Sequence, residues 1–140
     1  MNTIYIFGNP LLTFDNLPIR LKPKLEKAFP DINFIIQDPN ENLHPENGEL
    51  FIIDTVEGIK DVILIEDLDQ IKNDPKYSMH DFDLGFNLKL LKKIGALQKV
   101  KIIGVPMEMN EKTALKKINQ LLQKYKSDFV LNNHGVWGRN

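Results

Sequence analysis

Three short polar stretches carry residue types that could hold a divalent metal. Gly8-Asn9-Pro10-Leu11-Leu12-Thr13-Phe14-Asp15 follows an apolar run, Asp54 closes Leu50-Phe51-Ile52-Ile53, and Ser78-Met79-His80 precedes a helical pattern. The carboxylates of Asp15 and Asp54 with the imidazole of His80 suit zinc, nickel, manganese or iron(II). Three protein ligands leave coordination positions open for water or substrate. Gly8 permits an unusual backbone angle and Asn9 can tie a loop through its side chain, which is one way to hold Asp15 in place. Taken singly, each residue has a plainer reading. An aspartate ending a strand is more often a turn former or a cap, and His80 can equally be a capping-region histidine bonded near Asp81 or Asp83.

The elements around these residues must bring them together. Residues 3–7 read as a buried strand stopped by Gly8. Residues 17–29 carry a helical stripe of Leu17, Leu21, Leu25 and Ala28. Pro18 suits a first turn, whereas Pro23 predicts a kink or a regular start near Lys22. Strands follow at 32–37, 50–53, 61–65 and 100–105. Helices are expected at 83–94, with Leu84, Leu88, Leu91 and Ile94 on one face, and at about 111–125. Asn110 is the natural cap of the second of these, and Ala114, Leu115, Ile118, Leu121 and Leu122 form its apolar stripe.

Only seven residues, Asp54 to Lys60, separate the third and fourth strands. A parallel crossover needs about a dozen, so the fourth strand should run against the third. The order β-α-β-β-β-α-β-α then predicts a three-layer α/β/α domain over residues 1–125 with a mixed sheet. Residues 126–140 are left as a tail. Ligands of such sheets sit beyond the carboxyl ends of the parallel strands. The loop after strand one, Asp54 and the segment before the 83–94 helix should all lie at that edge.

The 140 residues suit one domain with a real core. A formal net charge of -1 gives no electrostatic reason to expect nucleic acid or a membrane surface. Arg20 and Arg139 are the only arginines, which argues further against phosphate gripping. There is no cysteine, so thiol catalysis, disulfides and Cys-based metal sites are excluded. That absence fits a reducing, cytoplasmic setting. Ile4-Tyr5-Ile6-Phe7 lacks a basic flank and a long apolar core, so no signal peptide is expected. No apolar run approaches the roughly 20 residues of a membrane span. His44 and His134 sit in polar segments and read as exposed or simply packed.

Together, Gly8-Asn9-Pro10-Leu11-Leu12 with an acid at Asp15, an apolar strand ending in Asp54-Thr55-Val56, and Ser78-Met79-His80-Asp81-Phe82 resemble the hydrogenase maturation proteases. The likeness runs in order over about residues 3–125. It implies a phosphorylase/hydrolase-like three-layer fold whose five-stranded sheet has the order 2-1-3-5-4, strand four being antiparallel. It also implies an aspartyl-type endopeptidase that trims the C-terminal extension of a nickel-containing hydrogenase large-subunit precursor. The resemblance maps the metal-binding residues onto Asp15, Asp54 and His80, the catalytic carboxylates onto Asp15 and Asp54, and a substrate loop onto Gly8 and Asn9. Nickel would arrive in the substrate, and another divalent ion could fill the site in vitro. Phe14 stands where the family usually has a first acid, and Asn16 where it has glycine. Those departures keep a second expectation open, a non-catalytic nickel-checking or assembly factor on the same fold.

Other enzyme classes fit less well. A signalling receiver domain needs acids directly after strand one and a lysine ending strand five; here Asp15 comes late and Lys101 opens that strand. There is no Gly-x-Gly-x-x-Gly for a dinucleotide and no Gly-x-Ser-x-Gly elbow for a serine nucleophile.

Overall fold

The computed structural model describes residues 2–7, 16–37, 48–56, 58–66 and 99–130. Its elements run β1 (Asn2–Ile6), α1 (Leu17–Ala28), β2 (Ile32–Ile36), β3 (Glu49–Val56), β4 (Ile63–Ile65), β5 (Lys99–Pro106) and α2 (Glu111–Val130). The helix expected at 83–94 lies outside the described residues.

The strands form one sheet in the order β2-β1-β3-β5-β4. β1, β2, β3 and β5 are mutually parallel, and β4 pairs antiparallel with β5. The reversal expected from the short connection is therefore present. β4 does not lie against β3, in keeping with the order that the resemblance implies. β5 inserts between them, and because β5 is parallel to β3 the fourth strand opposes both. The turn that reverses the chain contains Gly58 at φ 83°, a left-handed conformation that costs glycine little.

Both described helices cover one face. Leu17, Leu21 and Leu25 of α1 and Ala114, Ile118 and Leu122 of α2 pack with Ile4, Ile6, Phe51, Ile53, Ile103 and Val105. The opposite face carries Phe7, Leu50, Ile52, Val56, Ile65, Val100 and Ile102, also buried. Strand alternation explains the division, since successive residues point to opposite faces.

Several boundaries differ from the sequence expectation by a residue or more, and the instructive cases have physical reasons. α1 begins at Leu17 and runs through Pro23 without a late start. Pro23 is exposed, so its missing N–H falls on the solvent side of the helix. β3 continues past Asp54 to Val56, because β5 supplies a ladder partner for every residue up to Pro106. β4 is shorter than 61–65, because Asp61 is spent on the turn: its Oδ1 accepts from Val62 N–H at 2.8 Å. α2 runs on to Val130, beyond the expected end near 125. Its start is as expected, with Asn110 Oδ1 accepting from Lys112 N–H (2.9 Å) and Thr113 N–H (3.3 Å). Among the described residues, no helix is long and apolar enough to cross a membrane.

Candidate functional site

Asp54 is the expected site residue that the structure describes. It does not end its strand, as the sequence suggested, but sits within β3 paired with Gly104 of β5. Residues 50, 52 and 56 of β3 point to the face opposite the helices, so alternation places Asp54 there too. It is 1% exposed, and Asp54 and Thr55 are the buried polar residues among those described. A carboxylate taken out of water in an otherwise apolar strand is costly unless it is paired, hydrogen-bonded or bound to a cation. Such a residue is a poor choice for stability alone. Thr55 N–H donates to Asp54 Oδ1 at 2.8 Å and fixes the carboxylate from its own strand.

The neighbours in the same row are apolar. Tyr5 pairs with Ile52 and Ile6 with Ile53, so the next step of the register sets Phe7 beside Asp54. Phe7 N–H donates to Ile53 O at 2.9 Å, which continues that ladder. On the other side stands Gly104, and beyond it Ile63 of β4. The row across the sheet is thus Phe7, Asp54, Gly104, Ile63, with one charged group among four positions.

Both described helices start at the carboxyl edge of the sheet, where Asp54 lies. Arg20 in the second turn of α1 pairs with Glu111, the first residue of α2. The same guanidinium donates from Nε to Asn16 Oδ1 at 2.7 Å. Asn16, the residue after Asp15 in sequence, has φ −124° and ψ 10°. That conformation is open to any L-residue, so asparagine in place of a glycine strains nothing at this helix start.

Asp15, His80, Gly8 and Asn9 lie outside the described residues, as do Phe14, His44 and His134. Among the described residues, no group of three or more His, Asp or Glu is close enough to hold a metal. Of the acidic residues 66, 67, 69 and 74, only Glu66 is described, and it pairs with Lys101 at 3.4 Å. Two shallow depressions, of about 540 and 450 Å³, are lined by α2 residues including Lys112, Lys116 and Gln120. α2 covers the face opposite Asp54, so neither belongs to this site. Gly104 and Phe7 escaped sequence reasoning. An isolated glycine inside an apolar strand, as in Val100-Lys101-Ile102-Ile103-Gly104-Val105, is itself a signal of close approach.

Sheet order, strand directions and the buried carboxylate near the carboxyl edge define an α/β domain with a five-stranded mixed sheet and helices packed on it. Two solved structures share this fold. One is the hydrogenase maturating endopeptidase HybD from E. coli, with a TM-score of 0.55 at 18% identity, covering 89% of this chain and 94% of that one. The other is an endopeptidase from Escherichia coli determined in solution, with a TM-score of 0.58 at 21% identity and the same coverage. No family model matches the chain, and no curated protein matches it in sequence.

Proposed function

We propose that this protein is an endopeptidase of the hydrogenase-maturation type. Its substrate would be the precursor of a nickel-containing hydrogenase large subunit, trimmed of its C-terminal extension after nickel insertion. The observation that carries the reading is Asp54, a carboxylate buried near the carboxyl edge of a sheet with the order 2-1-3-5-4. The likeness to two E. coli endopeptidases in fold supports it, as does the ordered set of sequence elements at residues 8–15, 54–56 and 78–82.

In this reading Asp15, Asp54 and His80 receive the nickel that the substrate brings, and no resident cofactor is needed. Two carboxylate oxygens and an imidazole nitrogen suit such an ion. Nickel held there would lend Lewis acidity to the scissile carbonyl. Asp54 fits its part. Its Oδ1 is oriented by Thr55 N–H, and its apolar flanks exclude water that would compete for the ion. Asp15 and Asp54 are the carboxylates available to take a proton from the attacking water. The ordinary backbone of Asn16 removes one of the two departures that favoured a non-catalytic factor.

The test is incubation of the purified protein with nickel-loaded precursor, followed by mass spectrometry of the large subunit. Loss of the C-terminal extension is expected with the wild type, and no loss with Asp54→Asn or His80→Ala although both variants stay folded. Processing by both variants would refute the site. Binding without cleavage by the wild type would establish the nickel-checking factor instead.

A further inference from the structure

Gly104 faces Asp54 across the β3–β5 ladder, and its missing side chain is not replaced by open space. A Cβ built there would lie 2.8 Å from Val56 Cγ2, 3.0 Å from Ile63 Cγ1 and 3.3 Å from Ile63 Cδ1. Val56 is fully buried and β-branched, with no flexible end that could swing away. Val56 is two residues beyond Asp54 on the same strand and face, and Ile63 is the β4 partner of Gly104. The two side chains therefore lean over the glycine and close the β5 flank of the carboxylate. Phe7 stands on the other flank.

The geometry points to Gly104 as a positioning residue for Asp54: by lacking a side chain it lets Val56 and Ile63 form an apolar wall that sets the carboxylate in place. This deepens the reading of Asp54 as the working group of the site and rests on it. Gly104 touches neither metal nor substrate in this scheme. A methyl group at position 104 would press on Val56 and Ile63 and, through that wall, on the carboxylate in the same row. The bond from Thr55 N–H to Asp54 Oδ1 is made by the carboxylate itself, so its loss reports a displacement of that side chain.

The experiment is amide hydrogen exchange by NMR on the full chain, without metal or substrate, for wild type, Gly104→Ala, Val56→Ala and the double variant. The control is Gln37 N–H, which donates to Ile6 O at 2.9 Å on the far side of β1. In Gly104→Ala, Thr55 exchange should accelerate at least about tenfold relative to Gln37, the change expected when one hydrogen bond is lost. The double variant, with room for the new methyl, should return to within about twofold of wild type. General destabilisation would move both amides together. An unchanged Thr55-to-Gln37 ratio in Gly104→Ala overturns the inference. Should that variant fail to fold, Val56→Ala with Gly104 intact removes half of the wall and must itself accelerate Thr55 selectively; an unchanged ratio there overturns the inference equally. Because this readout needs no processing, a protein that never cleaves a precursor still tests it.

Discussion

Thr55→Val should stabilise the protein. Thr55 is 5% exposed on β3 and alternation turns its side chain toward the helix-covered face, with Phe51 and Ile53. Its Oγ1 is shut off from solvent and has no hydrogen-bond partner. A neutral polar group left in that condition costs about 1–3 kcal/mol. Valine keeps the β-branched shape and the strand preference while removing the hydroxyl. The new methyl will not fit perfectly, so the net gain should be about 1 kcal/mol. For a chain of 140 residues that corresponds to a rise of about 4 °C in Tm. The substitution retains the backbone N–H, so Asp54 Oδ1 keeps its donor and precursor processing should not change. Urea unfolding and calorimetry measure the first effect, and the precursor assay the second. A loss of about 1 kcal/mol or more would refute the reasoning, because it would mean that the hydroxyl makes a bond the fold depends on.

Asn110→Ala should cost about 1 kcal/mol by removing the acceptor for Lys112 and Thr113 N–H at the start of α2; the urea midpoint checks it, with Asn110→Asp as the tolerated control. The Lys126 ammonium, hydrogen-bonded to the Asp31 carboxylate, holds that group below the ordinary value of 3.8, against an opposing effect of desolvation. A carboxyl lowered in the folded state adds stability that is full above 3.8 and fades as pH falls through the folded value. Lys126→Met should therefore lower stability at pH 7 by about 0.5 kcal/mol, as befits an exposed pair, and the difference from wild type should vanish toward pH 2. A difference that survives at pH 2 would mean that the lysine acts through packing on Phe29, over whose ring it lies at 5.6 Å. Asp61, lowered by Lys117 and then by Val62 N–H, follows the same sign, so Lys117→Met should likewise lose its effect in acid.

Local signals carried far in this chain. Of the expected stripe, Ala114, Ile118 and Leu122 are buried and Leu115 and Leu121 half-buried against them, and the Asn110 cap is made. A connection too short for a parallel crossover correctly reversed the fourth strand. The same kind of reasoning stopped β3 too early, because polarity rises at Asp54 while the ladder does not end there. Whether a strand continues depends on its partner, and β5 begins more than forty residues later in the sequence. Pro23 does not delay the start of α1, one of the two outcomes expected for it: its cost in a helix depends on which face loses the bond, and that face is exposed.

The sequence by itself determined the α/β class, the reversed strand and the start of α2, and it singled out Asp54 as a polar residue in an apolar strand. These follow from spacing and residue type within one or two neighbouring elements. Spacing and residue type left open that β5 separates β3 from β4, which the family resemblance implied and the sheet order bears out. Tertiary structure alone decided that Asp54 is buried within its strand rather than at its tip, and that Phe7, Gly104 and Ile63 share its row. Those facts depend on pairing between segments distant in the chain. The surroundings of a strand residue are set mostly by the strands on either side, and no local pattern specifies which strands those will be.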